Sequence, residues 1–177
     1  THAHVDYVGR CPKLVREGFR GKAHMTAPAR ALAALILRDS AHILAEDAQR
    51  HRLPLLYEDK DVTAFLNLIE VVPYGEEVEV KPGLSFMLRN TGHILGSASV
   101  RFAAADGTTL ALTGDIGNSP SPLLPDWEPV PDADALVMES VYGDRAHPER
   151  ADRDSLLLNS LKAAITRGGA ILIPAFS

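Results

Sequence analysis

Residues 1–7 read THAHVDY, with histidines at positions 2 and 4, an aspartate at 6 and a tyrosine at 7. In an extended segment, side chains at i, i+2 and i+4 point to the same side, which would set His2, His4 and Asp6 facing together. Imidazole and carboxylate donors in one place suit zinc or another borderline divalent ion. A polar turn that happens to contain histidines is the competing reading. The HExxH pattern of helical zinc sites is absent, so a metal here would belong to a strand end or a loop. Tyr7 is a poor donor. Its phenol, with an ordinary pKa of about 10, stays neutral at pH 7 unless a metal or other positive charge lowers that value.

Three further clusters carry chemistry-bearing residues. TGHILGSAS (91–99) sets His93 in a glycine-rich loop that enters a strand; glycines there let backbone pass close to a ligand, although such a histidine is often only a turn residue. LALTGDIGN (110–118) ends an apolar run at Asp115 beside a tight turn, the position of a ligand or of a turn cap. LVMESVYGDR (136–145) ends a second apolar run at Glu139, whose carboxylate needs a partner that the segment itself does not offer.

Around these clusters the periodicity alternates. CPKLVREGF (11–19) predicts a short helix stopped at Gly18, and KAHMT (22–26) a short strand. A long helix is predicted from Pro28 to about Arg50, with Leu32, Leu35, Ile36, Ile43 and Leu44 near helical spacing. DVTAFLNLI (61–69) predicts another, with Asp61 as its cap. EEVEV, LSFMLRN, SASVRFAAA and TTLALTGD read as strands, with ADGT (105–108) as a hairpin turn. A loop with five prolines follows over 118–134. ALVMES (135–140) reads as a buried strand, SLLLNSLKAAITR (155–167) as an amphipathic helix and AILIPAF (170–176) as another buried strand. Helices at both ends and strands in the middle predict a mixed sheet covered by helices, an α/β layered architecture.

The bulk composition narrows the partners. Apolar residues at 46% and charged residues at 23% are ordinary globular values. A net charge of −5 argues against a general nucleic-acid footprint, though not against local phosphate contacts. The lone Cys11 gives no internal disulfide and points to a reducing, cytoplasmic setting. No apolar run reaches membrane-spanning length. His24, His42 and His51 read as surface or packing residues, and Met25, Met87 and Met138 as core. Trp127 reads as a loop anchor and His147 as a loop residue, and Arg145 is expected to pair with Asp144 or Asp152.

Taken in order, the four clusters resemble the metallo-β-lactamase superfamily, and within it the β-CASP branch of RNA-processing nucleases. HAHVDY approximates the family pattern HxHxDH. TGHILGS matches its lone histidine, TGDIG its bridging aspartate, ESVYGDR its next acidic residue, and GGAILIPAFS the strand before the inserted β-CASP domain. The resemblance implies an αββα sandwich, incomplete here. Residues 1–177 would be part of the metallo-β-lactamase domain, ending at the junction to a β-CASP domain, with an N-terminal part of the sheet also outside the chain. It implies one or two zinc ions: His2, His4 and His93 on the first, Asp115 bridging, and Asp6 on the second. Asp6, Asp115 and Glu139 would be the catalytic carboxylates, Glu139 by hydrogen-bonding a proton-donating histidine of the β-CASP domain. The implied substrate is RNA, cut by metal-assisted phosphodiester hydrolysis. Self-association or an RNA-processing complex would run through regions outside the chain. Tyr7 departs from the pattern, since the family has histidine there. That substitution implies a weakened second metal site, left mononuclear or labile. A non-catalytic scaffold and a small-molecule hydrolase of the wider superfamily are the competing functions.

Overall fold

A computed structural model describes residues 1–130, 132–146 and 150–173. The chain divides into two compact units, Thr1–Glu139 and Ser140–Ser177.

The first unit opens with an irregular stretch, then two short helices, α1 (Val5–Val8) and α2 (Cys11–Arg16). A short strand, β1 (Ala23–Met25), leads into the long helix α3 (Ala27–His51). Thr26 caps that helix by accepting from the Ala29 N–H, and Pro28 sits in its first turn, where no N–H is needed. Next come α4 (Asp59–Leu66) and β2 (Ile69–Val71), which pairs in parallel with β1. Asp61 is not the cap of α4. Glu58 is, and Asp61, three residues on, reciprocates by accepting from the Glu58 N–H at 2.9 Å.

The alternating runs then form a five-stranded sheet. Its strands are β3 (Glu77–Lys81), β4 (Leu84–Asn90), β5 (Ala98–Ala104), β6 (Thr109–Leu112) and β7 (Ala135–Val137), in that spatial order. Neighbours are antiparallel except β6 and β7, which run parallel with Leu112 beside Val137. The turn predicted at 105–108 closes β5 onto β6, and the Asp106 carboxylate accepts from the Thr108 N–H at 2.9 Å. The result is the mixed α/β arrangement implied by the sequence, consistent with part of a metallo-β-lactamase-type fold.

Two apolar clusters hold the unit together. One gathers α1 to α4 around Ala3, Val8, Val15, Ala33, Leu37, Tyr57, Val62 and Phe65. The other, Val72, Phe86, Leu88 and Ala98, lies on the sheet. The buried seam of α3 is narrower than its leucine pattern suggests: Ala29, Ala33, Leu37 and Ala41, four residues apart. Leu32, Ile36 and Leu44 flank it, whereas Leu35 and Ile43 face solvent. Small side chains let the neighbouring elements approach closely, so the alanines carry the contact.

The clusters meet at the loop between β4 and β5. The buried Thr26 hydroxyl donates to the Gly96 carbonyl at 2.7 Å, tying the N-terminus of α3 to that loop. Gly96 has φ +81°, and a Cβ there would fall 2.4 Å from the Ala29 nitrogen and 2.5 Å from Thr26 Oγ1. Only glycine fits.

Two strand expectations need correction. The residues of β7 are exposed, and so is Met138: among the described residues β7 lies at one edge of the sheet, beside β6, and an apolar run does not reveal that. In the second unit, a 3₁₀ turn (Arg150–Asp152) precedes α5 (Arg153–Thr166), the helix expected from its pattern, although none of its residues is buried. Residues 170–173 form no strand and are exposed; the rest of AILIPAFS lies outside the described residues, as does His147. Arg145 pairs with Asp144 at 2.9 Å, as expected.

These assignments make unlike demands on similar residues. Leu37→Ala, at a fully buried position, should lower unfolding free energy by about 2–5 kcal/mol, while Leu35→Ala should stay within about 0.5 kcal/mol. Gly96→Ala should cost at least ~2 kcal/mol through strain at positive φ and contact with α3. Urea denaturation of the three variants checks all of this.

Candidate metal centre

Four side chains from three segments converge. One donor atom each from His2, His4, His93 and Asp115 lies within 4.8 Å of all the others. His2 Nε2 is 3.0 Å from His4 Nδ1, and His93 Nε2 is 3.3 Å from the same atom. Asp115 Oδ2 sits 3.5 Å from His2 Nε2 and 3.4 Å from His93 Nε2. The imidazoles are close to perpendicular, with interplanar angles of 79° to 88°, so their edges point inward and the rings do not stack. A tetrahedral zinc with bonds of 2.0–2.1 Å requires donor separations of about 3.3 Å. Four of the spacings, 3.0 to 3.5 Å, are close to that edge.

Each of the four side chains is aimed by its local structure. His2 is buried, and its Nδ1 lies 3.2 Å from Thr1 Oγ1, leaving Nε2 for the cluster. The Thr1 carbonyl accepts from the Ala98 N–H at 2.8 Å, which lays the first residues against the start of β5. Ala3, between the two histidines, is buried in the helical cluster. The loop bearing His93 is clasped by Ser97, whose fully buried hydroxyl accepts from the His93 and Ile94 N–H groups at 3.0 and 3.3 Å. Asp115 follows the end of β6. There the Gly117 N–H donates to the Thr91 carbonyl at 2.8 Å, and a Cβ at Gly117 would fall 1.9 Å from the Gly92 oxygen. Thr26, Ser97 and the Thr1–Ala98 contact were not singled out from the sequence; the serine of TGHILGSAS was the available signal.

At His2 and His93 the electrostatics favour the neutral imidazole, the form that binds metal. Burial lowers the His2 pKa to about 4, against the opposing pull of Asp115. His93 is lowered too, again chiefly by burial.

Asp6 is not in the cluster. The extended phase assumed for residues 2–6 ends at His4, which is the N-cap of α1. Beyond that point the period changes from 2 to 3.6, and residues three apart share a face. Asp6 is therefore exposed on the first turn, close enough for its charge to act on His93 and Tyr7. Tyr7 comes round to the cluster instead. Its hydroxyl donates to Asp115 Oδ1 at 2.7 Å and its ring leans on His2, centroids 4.2 Å apart. The hydrogen bond to Asp115, then burial and the nearby carboxylates, push the phenol pKa up to about 12. Glu139, half-buried, follows β7 as Asp115 follows β6, and its N–H donates to Thr113 Oγ1 at 3.2 Å.

The chain matches no protein-family model. It is 36% identical over 177 residues to Ribonuclease TTHA0252 of Thermus thermophilus, covering 100% of this chain and 39% of that protein. With Transcription termination factor FttA of Methanocaldococcus jannaschii it shares 34% identity over 183 residues, 99% of this chain and 28% of the relative. Endoribonuclease ysh1 of Schizosaccharomyces pombe is 32% identical over 179 residues, 100% of this chain and 23% of the relative. The chain thus spans two fifths or less of the length of these relatives. It belongs with them, in the β-CASP-type metallo-β-lactamase family that its four ordered motifs resemble.

Proposed function

We propose that the protein carrying this chain is a zinc-dependent phosphodiester hydrolase that acts on RNA. The observation that carries this reading is the convergence of His2, His4, His93 and Asp115, which lie as many as 113 positions apart (115 − 2), on one set of donor atoms. Three imidazoles and one carboxylate suit zinc better than magnesium or calcium, which favour all-oxygen shells. The names of the relatives, a ribonuclease and an endoribonuclease among them, support RNA as the substrate class.

Bound there, zinc supplies Lewis acidity towards a phosphoryl oxygen. The chain's own residues do the rest. His2, with Nδ1 engaged by Thr1, presents Nε2 in a fixed direction. Asp115 turns Oδ2 to the histidines and contributes the negative charge of the donor set. Asp6, exposed beside the centre, is assigned to steering a proton and, where a second ion is admitted as in Tyr7→His, to holding it. Glu139 is assigned to orienting a proton-donating histidine elsewhere in the protein. Residues 1–177 are read as part of the metallo-β-lactamase domain, leading into a β-CASP domain. No described helix is long and apolar enough to cross a membrane, and the free Cys11 fits a cytoplasmic protein. Assembly with itself or within an RNA-processing complex belongs to the same reading.

One observation favours a second reading. Tyr7 stands where the family pattern has histidine, as a scaffold released from catalysis would allow. The whole protein should bind zinc and cut a single-stranded RNA oligonucleotide, and a chelator should abolish the cutting. His93→Ala removes a direct ligand, so it should lower zinc affinity and cleavage by more than the ~10–100-fold typical of outer-shell changes. Zinc binding with RNA left intact, in Tyr7→His as well as in the natural protein, favours the scaffold. Metal-independent cleavage unaffected by His93→Ala rules out this site as the catalytic centre.

A further inference from the structure

The two oxygens of Asp115 face different partners. Oδ2 lies among the histidines, 3.4 Å from His93 Nε2 and 3.5 Å from His2 Nε2. Oδ1 accepts the Tyr7 hydroxyl at 2.7 Å. Tyr7 reaches it because α1 begins at Val5: the Tyr7 N–H bonds the His4 carbonyl at 3.0 Å, bringing position 7 back to the face of position 4. Its ring is braced on the ring of the buried His2.

We propose that Tyr7 is a positioning residue for Asp115, and that its hydroxyl occupies the side of the carboxylate where a second ion would bind, so that the centre holds one metal ion. This rests on the metal reading above. A carboxylate that bridges two ions with one oxygen on each needs both oxygens free, and here Oδ1 is engaged by Tyr7. An ion bound to Oδ1 would need a place about 2.0–2.2 Å from it. With the phenol oxygen 2.7 Å from Oδ1, that place is taken unless the ring turns away. The hydroxyl has a second effect. By holding Oδ1 outward it prevents the carboxylate from chelating a single ion through both oxygens. Asp115 then contributes one donor, Oδ2, at the spacing of a tetrahedral corner. Hydrogen bonds of this kind to ligating carboxylates commonly matter for metal affinity.

The test uses the whole protein, with metal content measured by elemental analysis, affinity by competition with a chelator, and geometry by visible absorption of the cobalt(II)-substituted form. The natural protein should hold one zinc per chain. Tyr7→Phe keeps the ring and removes the hydroxyl. It should still hold one, with affinity lower by about 10–100-fold and a weaker cobalt band as the coordination number rises. Tyr7→His should take up two. Circular dichroism verifies that the variants are folded; should Tyr7→Phe not fold, the zinc count of the natural protein and of Tyr7→His decides. Two tightly held ions in the natural protein overturn the proposal. So does a folded Tyr7→Phe with unchanged affinity and cobalt spectrum. A natural protein that binds no zinc defeats both this proposal and the metal reading. One zinc, the Tyr7→Phe loss and no RNA cleavage together support the assignment of Tyr7 while defeating the hydrolase, so the two fail separately.

Discussion

Everything around the centre answers one constraint: three imidazole nitrogens and a carboxylate oxygen must be held within 4.8 Å of one another, with His2 fully enclosed. Charged imidazolium groups at that spacing would repel, and enclosing them would cost desolvation as well. Burial lowers the pKa of His2 and of His93, which favours their neutral form. The ring nitrogens meet one another at 3.0 and 3.3 Å, but these contacts alone do not fix three separate segments. Their arrangement is therefore maintained by the scaffold: Thr1 beside β5, Ala3 in the helical cluster, Ser97 under the His93 loop and the Gly117–Thr91 bond. The centre is preorganised by backbone bonds that touch none of its donor atoms.

Much of this was legible from residue order. Alternation was plainest in β4, where the buried Phe86, Leu88 and Asn90 take turns with half-buried neighbours. The four donors of the cluster were also legible, since each stands at an element end marked by glycine or by a change of period. Burial was harder to read. Leu136, Val137 and Met138 look like a core strand by composition, but nothing in three apolar letters reports an edge position. On α3 the leucines drew attention from the alanines, which determine how closely helices pack. Asp6 was set with the wrong neighbours because a motif written as letters carries no record of where strand phase gives way to helix phase.

That change of phase also explains why the aromatic residue matters. Counted from His2 in an extended chain, position 7 lies on the face opposite the cluster. Counted from His4 in a helical turn, it returns. A residue that departs from the family pattern is thereby brought into contact with Asp115, the carboxylate that the family uses as a bridge. The departure is more than a missing ligand, because a different group, with its own hydrogen-bonding capacity, stands at that point.

The Thr26–Gly96 contact bears on how the centre moves. Thr26 caps a helix of 25 residues, about 37 Å long, and with the same hydroxyl holds the carbonyl next to Ser97. Swinging the His93 loop outward would break that bond and leave the first turn of α3 without its side-chain cap. Loop opening and helix fraying thus share one free-energy barrier, and seven residues that would fluctuate readily by themselves take on the cooperativity of a much larger element. Order at His93 then follows the temperature and denaturant response of the helical cluster, and not that of a surface loop.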